Sequence, residues 1–342
     1  MTDELTILYQ EPNDGNEFDF TDSHASIDGD VYDFTGVTSS FTISGSLKAE
    51  ATKATFVFVR DADVIVEPGG VIHVTCGDST VFYGFVFSVK LSQDIAVQVE
   101  AYDVLRYLKT EVFYPWPKQT LSERFKAICE YAALDAGTVD DASYPLKPVL
   151  SEGKTLFSVL QDALDAELQN EAKLFYVRAN KRALELINVE NDVVDLCVDS
   201  AAYINGYQYE KSIDKSTYNQ VHFWREGSGG NLRLAGEAHD DEKTNLWGRL
   251  RLSRKVDGNE TDAQLKERAE KTLTVHGQPT EALSLTCFGD WRVHAGCVIT
   301  VSLPELGDEY ENRNFIVSNC THNYAFDNHT MTLQLLFAGG GL

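Results

Sequence analysis

From Ser39 to Ala101 the sequence is written in period two. Phe41, Ile43 and Gly45 alternate with polar partners, and short runs follow at Thr55–Val59, Val71–Cys76, Val81–Val89 and Ile95–Ala101. Pro68-Gly69-Gly70, Gly77-Asp78-Ser79 and Ser92-Gln93-Asp94 separate them. Successive strand side chains point to opposite faces, so each run can bury one face. Short β-branched and aromatic runs with a turn about every 10 to 15 residues must fold back as an antiparallel meander. Five such strands are enough for a small barrel or curled sheet, expected over residues 36–109.

Ahead of the meander, residues 1–35 are predicted to form an acidic arm, irregular but for a short strand at Leu5–Tyr9. Residues 1–50 carry eleven acidic side chains against one lysine, Lys48. After the meander the period becomes helical. Thr120 and Glu123 have the spacing of a capping box, and Leu121, Phe125, Ile128 and Ala132 form one apolar stripe. A second helix is predicted over Leu156–Asn170, then a hairpin of Leu174–Val177 with Ala183–Ile187. Residues 110–200 therefore read as a small α+β insert.

Strands return at Tyr203–Tyr209, Tyr218–Arg225, Leu232–Ala238, Leu250–Val256, Ala282–Phe288, Val298–Leu303 and Phe315–Phe337. A helix at about 262–276, apolar only along Leu265, Ala269 and Leu273, should cover one end or side of a sheet. Residues 201–342 are read as a second barrel domain. The fold class expected is mainly β: two tube-like antiparallel β-barrel domains with a small α+β domain between them.

Charge excludes some functions. The 342 residues include 53 acidic and 29 basic side chains, a net charge of −24. Such a surface repels phosphate and anionic lipid, so a general nucleic-acid or membrane binder is not expected. No concentrated basic patch is visible in the sequence. No segment approaches the ~18 consecutive apolar residues of a membrane helix. Met1-Thr2-Asp3-Glu4-Leu5 lacks the basic start of a signal peptide, so synthesis and folding inside a cell are expected. The scattered cysteines (Cys76, Cys129, Cys197, Cys287, Cys297, Cys320) contain no Cys-x-x-Cys pair and read as reduced thiols. Cys129 and Cys320 fit small packed hydrophobes.

Candidate chemistry is sparse. In the last hairpin, a turn at Asp327-Asn328 would set Phe326 opposite His329 and His322 opposite Leu333. His322 and His329 then share a face but lie about 13 Å apart along the ladder at ~3.3 Å per residue, too far to hold one metal ion. Packed, hydrogen-bonded histidines are expected instead. Ser151-Glu152-Gly153-Lys154-Thr155 has the end of a phosphate-binding loop, but Pro148 stands where that pattern needs glycine. Thr155 is expected to cap the next helix. Gly227-Ser228-Gly229-Gly230 reads as a hairpin loop. His294 near Trp291-Arg292-Val293, and His239 beside Asp240-Asp241-Glu242, have acidic neighbours of the sort chance supplies in so acidic a chain. No Ser or Cys stands in a nucleophile setting. No catalytic, cofactor-binding or metal-ligating residue is assigned, and no cofactor.

Val37-Thr38-Ser39-Ser40-Phe41-Thr42-Ile43-Ser44-Gly45-Ser46 resembles the opening of XkdQ/YqbQ-type proteins of Gram-positive prophages. The likeness continues through Phe82–Phe87, Val97-Gln98-Val99-Glu100-Ala101-Tyr102-Asp103-Val104-Leu105-Arg106-Tyr107-Leu108, the helix after Gln119-Thr120-Leu121, and Phe315-Ile316-Val317 with His322 and His329–Leu333. What this resemblance implies is a non-enzymatic baseplate hub of a contractile phage tail or tail-like particle, related to the first part of VgrG. By that resemblance the protein is a homotrimer adapting a six-fold tail tube to a three-fold spike. Its partners are the tail tube protein, the central spike protein, other baseplate proteins and a tape measure protein, with DNA passing through the lumen without specific binding. It would assemble in the bacterial cytoplasm and end in the baseplate. The competing classes are a tail-associated cell-wall hydrolase and a carbohydrate-binding adhesin.

Overall fold

The computed structural model describes residues 5–12, 30–48, 50–59, 65–91, 96–199, 204–214, 216–227, 230–256, 260–326 and 328–337. Residues 13–29 of the acidic arm, the Ser92-Gln93-Asp94 turn, Ser228-Gly229 and Asp327 lie outside the described residues. Two compact units emerge, one of residues 1–206 with 285–334, the other of 207–284 with 335–342.

In the first unit the meander consists of β1 (Leu5–Gln10), β2 (Val31–Asp33), β3 (Thr38–Ser46), β4 (Lys53–Val59), β5 (Val71–Cys76), β6 (Ser79–Leu91) and β7 (Ala96–Tyr102). All of their pairings are antiparallel, with β6 long enough to serve β5 with its first half and β7 with its second. Alternation sets which side is buried. Phe41 and Ile43 of β3, Phe56 and Phe58 of β4, and Val97 and Val99 of β7 pack inward. The strand expected at Leu5–Tyr9 is present, and it pairs with β5 over six positions from Leu5↔Cys76 to Gln10↔Val71. Its Ile7 and Tyr9 are fully buried. This is more order than an irregular arm implies: two inward residues suffice once β5 offers an edge, and acidic neighbours hide so short an alternation.

The insert follows as β8 (Glu111–Trp116), α1 (Leu121–Tyr131), β9 (Asp135–Val139), β10 (Val149–Thr155), α2 (Leu156–Glu171), β11 (Phe175–Asn180), β12 (Ala183–Asn188) and β13 (Val193–Asp199). Thr120 closes the expected capping box: its Oγ1 accepts from Glu123 N at 3.2 Å, and Glu123 Oε2 accepts from Thr120 N at 2.8 Å. Thr155 caps α2 as expected, accepting from Ser158 N at 3.1 Å. Leu121, Phe125 and Ile128 of α1 pack with Leu156, Leu160 and Leu164 of α2 and with Leu184 and Leu186 of β12.

The second unit holds β14 (Ile204–Ser212), β15 (Gln220–Glu226), β16 (Leu232–His239), α3 (Asp241–Trp247), β17 (Arg251–Lys255), α4 (Asp262–His276) and β18 (Thr280–Phe288), the last running on to the first unit's residues. Helix α4 covers the β16–β15–β17 sheet with the narrow face expected of it. Leu265 and Ala269 are fully buried against Val221 and Phe223. The approach is close because β16 carries Gly236 there; a Cβ at that position would stand 2.6 Å from the Leu265 carbonyl carbon.

The chain then returns as β19 (Val298–Ser302), β20 (Arg313–Ala325) and β21 (Asn328–Phe337). β20 pairs antiparallel with β3 from Asn319↔Ser46 to Ala325↔Ser40. The first unit's main sheet therefore runs β21-β20-β3-β4-β7-β6-β5-β1-β2, with β19 on β20 and β13 parallel to β19. No pairing among the described residues closes this path on itself. The protein is mainly β and mostly antiparallel, with a small α+β part.

Gly236→Ala forces α4 away from β16. It should lower unfolding free energy by about 1–3 kcal/mol, the range for overpacking, in urea titrations followed by circular dichroism. Gly206→Ala, with nothing within 4 Å of the new methyl, should stay near wild type.

Candidate functional site

A cleft of about 340 Å³ is walled by β3, β11, β20 and the loop before β19; Glu50, Asp103, Arg178, Glu185, His294 and His322 line it. β11 delivers Arg178. Its Nε donates to Glu185 Oε2 at 2.8 Å and its Nη1 to Asp192 Oδ2 at 3.2 Å. Tyr176 donates its hydroxyl to the same Asp192 oxygen, and Asn180 Nδ2 donates to Glu185 Oε1 at 3.1 Å. Burial pushes the Glu185 carboxyl up, but Arg178 and Asn180 outweigh it and hold the group below the usual carboxylate range. Both carboxylates are thus committed to one guanidinium, an arrangement of structure rather than of proton transfer.

His294 approaches this network at 3.3 Å from Arg178 Nη1. Its Nδ1 lies 3.1 Å from the Ala295 carbonyl, which fixes the proton on Nδ1 and leaves Nε2 to accept from Arg178. Burial lowers its pKa, so the ring is neutral in this tautomer. Asp103, also on the cleft, is buried and accepts from Leu105 N at 3.1 Å and Thr52 N at 2.9 Å, one bond to each oxygen. Burial pushes it up to about 7 despite those bonds. Its role is to cap the 3-10 turn of Val104–Lys109.

The two hairpin histidines correct the sequence expectation. His322 Nδ1 is 3.0 Å from His329 Nε2, where a separation of about 13 Å along the ladder was expected at ~3.3 Å per residue. The reversal is the cause. β20 ends at Ala325 and β21 already begins at Asn328, with Phe326 at φ 49°. Asn328, expected in the turn, is already part of β21, and His322 and His329 lie closer along the ladder. The expected packed, hydrogen-bonded state of the pair does hold. His322 Nε2 donates to the Val293 carbonyl at 2.8 Å, and its Nδ1 accepts from His329. Trp291 stacks on His329 with ring centres 3.5 Å apart. Gly289 makes room, since a Cβ there would strike the His329 ring. Burial lowers both rings to about 4. Each ring nitrogen between them has a role only in the neutral form: a proton added to His322 Nδ1 would face the N–H of His329.

The remaining sequence candidates do not converge here. Lys154 is on β10, paired with Asp162 at 2.9 Å. His239 is 3.9 Å from Asp241 at an exposed position, and Gly227 and Gly230 flank the connection between antiparallel β15 and β16. Cys129 and Cys320 are buried, as expected. Among the described residues, no three His, Cys, Asp or Glu side chains converge as metal ligands. The Arg178 network carries no signal in the sequence, because its members lie on β11, β12, the turn before β13 and the loop before β19.

The YQBQ-like family model matches residues 41–336. The chain belongs to the YQBQ-like family. No curated protein sequence matches it. Among solved structures, this YQBQ-like chain is similar to the 43 kDa tail protein of prophage MuSo2 from Shewanella oneidensis, at 13% identity and TM-score 0.69 over 98% of both chains. It is similar to a tail protein from Neisseria meningitidis, at 14% identity and TM-score 0.66 over 98% of both. An Escherichia coli component of the type VI secretion system, itself similar to bacteriophage tail proteins, matches at 12% identity and TM-score 0.58 over 90% of this chain and 75% of its own. At such identities the shared property is the fold.

Acidification should destabilise this cluster. Because each folded pKa lies near 4 and the unfolded value near 6.5, the unfolded chain binds protons first as pH falls through that window, and the folded state loses stability. Each ring contributes about 2 kcal/mol between pH 7 and pH 5. Asp103 acts oppositely, since a raised carboxyl pKa favours the folded state on acidification. Comparison with His329→Gln cancels that contribution: urea unfolding at the two pH values should show the wild-type loss exceeding the variant's by about 1–2 kcal/mol.

Proposed function

We propose that the protein is a structural hub of a tail baseplate, a homotrimer that adapts a six-fold tail tube to a three-fold spike in a contractile phage tail or tail-like particle. The observation that carries this reading is the fold, shared along nearly the whole chain with prophage tail proteins. Family membership over residues 41–336 supports it. On this view the sheet-built parts on either side of the insert act as two tube modules per chain, so that three copies imitate six. The cleft chemistry agrees with a role without turnover: Glu185 and Asp192 are tied to Arg178, and Asp103 to backbone N–H groups. Large apolar side chains stand outward, Phe113 at 75%, Leu150 at 57% and Phe326 at 88% exposure, as expected of a subunit that completes its burial by assembly. Tail tube, spike and other baseplate proteins would meet these faces, and the tape measure protein the tube side. The net charge of −24 would let DNA pass a lumen without sticking.

Light scattering after gel filtration tests the assembly. The expected mass is about three times the 38.1 kDa chain, by closed cyclic symmetry. A monomer at every concentration, with turnover of purified peptidoglycan, would overturn the hub in favour of a hydrolase.

A further inference from the structure

Arg124 is an unusual buried charge. It sits on the inward stripe of α1, 2% exposed, and packs over the Trp116 ring with its guanidinium carbon 5.4 Å from the centroid. Its Nε donates to Gln119 Oε1 and its Nη2 to the Pro117 carbonyl, both at 2.8 Å. Both acceptors are neutral. Among the described residues no carboxylate pairs with it, and Nη1 has no hydrogen-bond partner. Buried guanidinium groups are ordinarily paired with an anion, because removing the charge from water carries a penalty that neutral acceptors recover only in part. Burial alone accounts for the lowering of its pKa, with no nearby charge contributing.

The guanidinium lines a pocket of about 160 Å³ between α1, β10 and α2, together with Lys147, Lys154, Ser151 and Asp162. Lys154 is neutralised by Asp162 at 2.9 Å. Exposed Lys147 has no acidic partner among the described residues. Ser151 is 1% exposed and accepts from Trp116 Nε1 at 3.1 Å, so its own hydroxyl proton remains to be donated. Three cations thus surround one carboxylate, in a chain whose net charge is −24. The pocket is compact, positively charged, walled on one side by a buried guanidinium whose Nη1 is unpartnered, and supplied with a hydroxyl. That is the chemistry of oxyanion recognition.

We propose that this pocket binds a compact oxyanion, a carboxylate or a tetrahedral inorganic ion, through Arg124, Lys147 and Ser151. A carboxylate could come from an acidic side chain of a partner protein, the inorganic ion from solution.

Thermal unfolding of the full chain, with sodium glutarate or sodium sulfate titrated against sodium chloride at matched ionic strength, separates these sources. The expected result is a saturable rise in midpoint of about 2–4 °C, weakened about tenfold in apparent affinity by Lys147→Glu. Response to glutarate, alone or with sulfate, assigns a carboxylate; response to sulfate alone assigns the inorganic ion. Arg124→Met also removes buried packing against Trp116, so Lys147→Glu with Lys154→Glu serves as the second variant, and the Arg124 Nε–H resonance reports binding directly. Midpoints that follow ionic strength alone, or a response that survives both lysine reversals with an unmoved Arg124 resonance, would overturn the site.

Discussion

The pairing of β20 with β3 is the contact on which the first unit depends. Seven residue pairs, from Asn319↔Ser46 to Ala325↔Ser40, join segments separated by nearly the whole chain. Through it Phe41 stacks on Tyr324 at 5.0 Å and on Trp291 at 5.8 Å. The cleft inherits its wall, since Ile43 and Gly45 face His322 and Cys320 directly across the ladder. Loop closure entropy grows slowly with length, so such a contact is thermodynamically acceptable once formed. It is costly in time, because the ends must meet before the sheet rewards them. The meander β3–β4–β7–β6–β5 can form from local hairpins and offer β3 as an edge for the returning strand.

That edge explains why the polar clusters are stationed where they are. The loop before β19 is held by backbone bonds to β20, Gly296 N to Val317 O at 2.8 Å and Val317 N to Cys297 O at 2.9 Å. It carries Trp291 and His294, one facing the hairpin histidines and the other Arg178. Gly296, at φ 99°, lets the loop turn directly over the Tyr176 ring, where any Cβ would collide. Neutral histidines suit such a junction. Each supplies one donor and one acceptor at a fixed angle and, kept neutral by burial, brings no charge that the cleft must offset.

Much of this was legible and some was not, for definite reasons. Helix caps are local, so the Thr120 capping box and the Thr155 cap mark both insert helices in the sequence. α3 escaped notice because it buries no residue and so has no apolar stripe; only the Asp240 cap marks it. The last hairpin was misregistered because Asp327 and Asn328 tolerate positive φ better than Phe326 does, yet Phe326 adopts it. Burial of Cys320 and His322 on one strand and Met331 and Leu333 on the other fixes which face turns inward, but a slip of two residues leaves that face unchanged, so alternation alone does not choose between the two registers. Arg124 does leave a sign in the sequence: it falls three residues after Leu121 and four before Ile128, on the apolar stripe of α1. The β3–β20 pairing leaves none, since either strand could pair with several others of like pattern.

The acidity and the exposed apolar faces pull against each other. A net charge of −24 keeps isolated chains apart and soluble, and it also opposes every association with another acidic surface. The assembly proposed for the hub is then favoured where that repulsion is locally relieved. The two-stranded ribbon of β8 and β10 meets this condition. It exposes Phe113, Val149 and Leu150, while Val149 also lines the pocket of Arg124, Lys147 and Lys154. Apolar area and positive charge coincide there, so a partner can bury hydrophobic surface and bring a negative group close in the same contact. Added salt weakens that local attraction but also screens the general repulsion over about 8–10 Å at ordinary ionic strength. The two effects oppose each other, and their balance depends on how much of the contact is apolar.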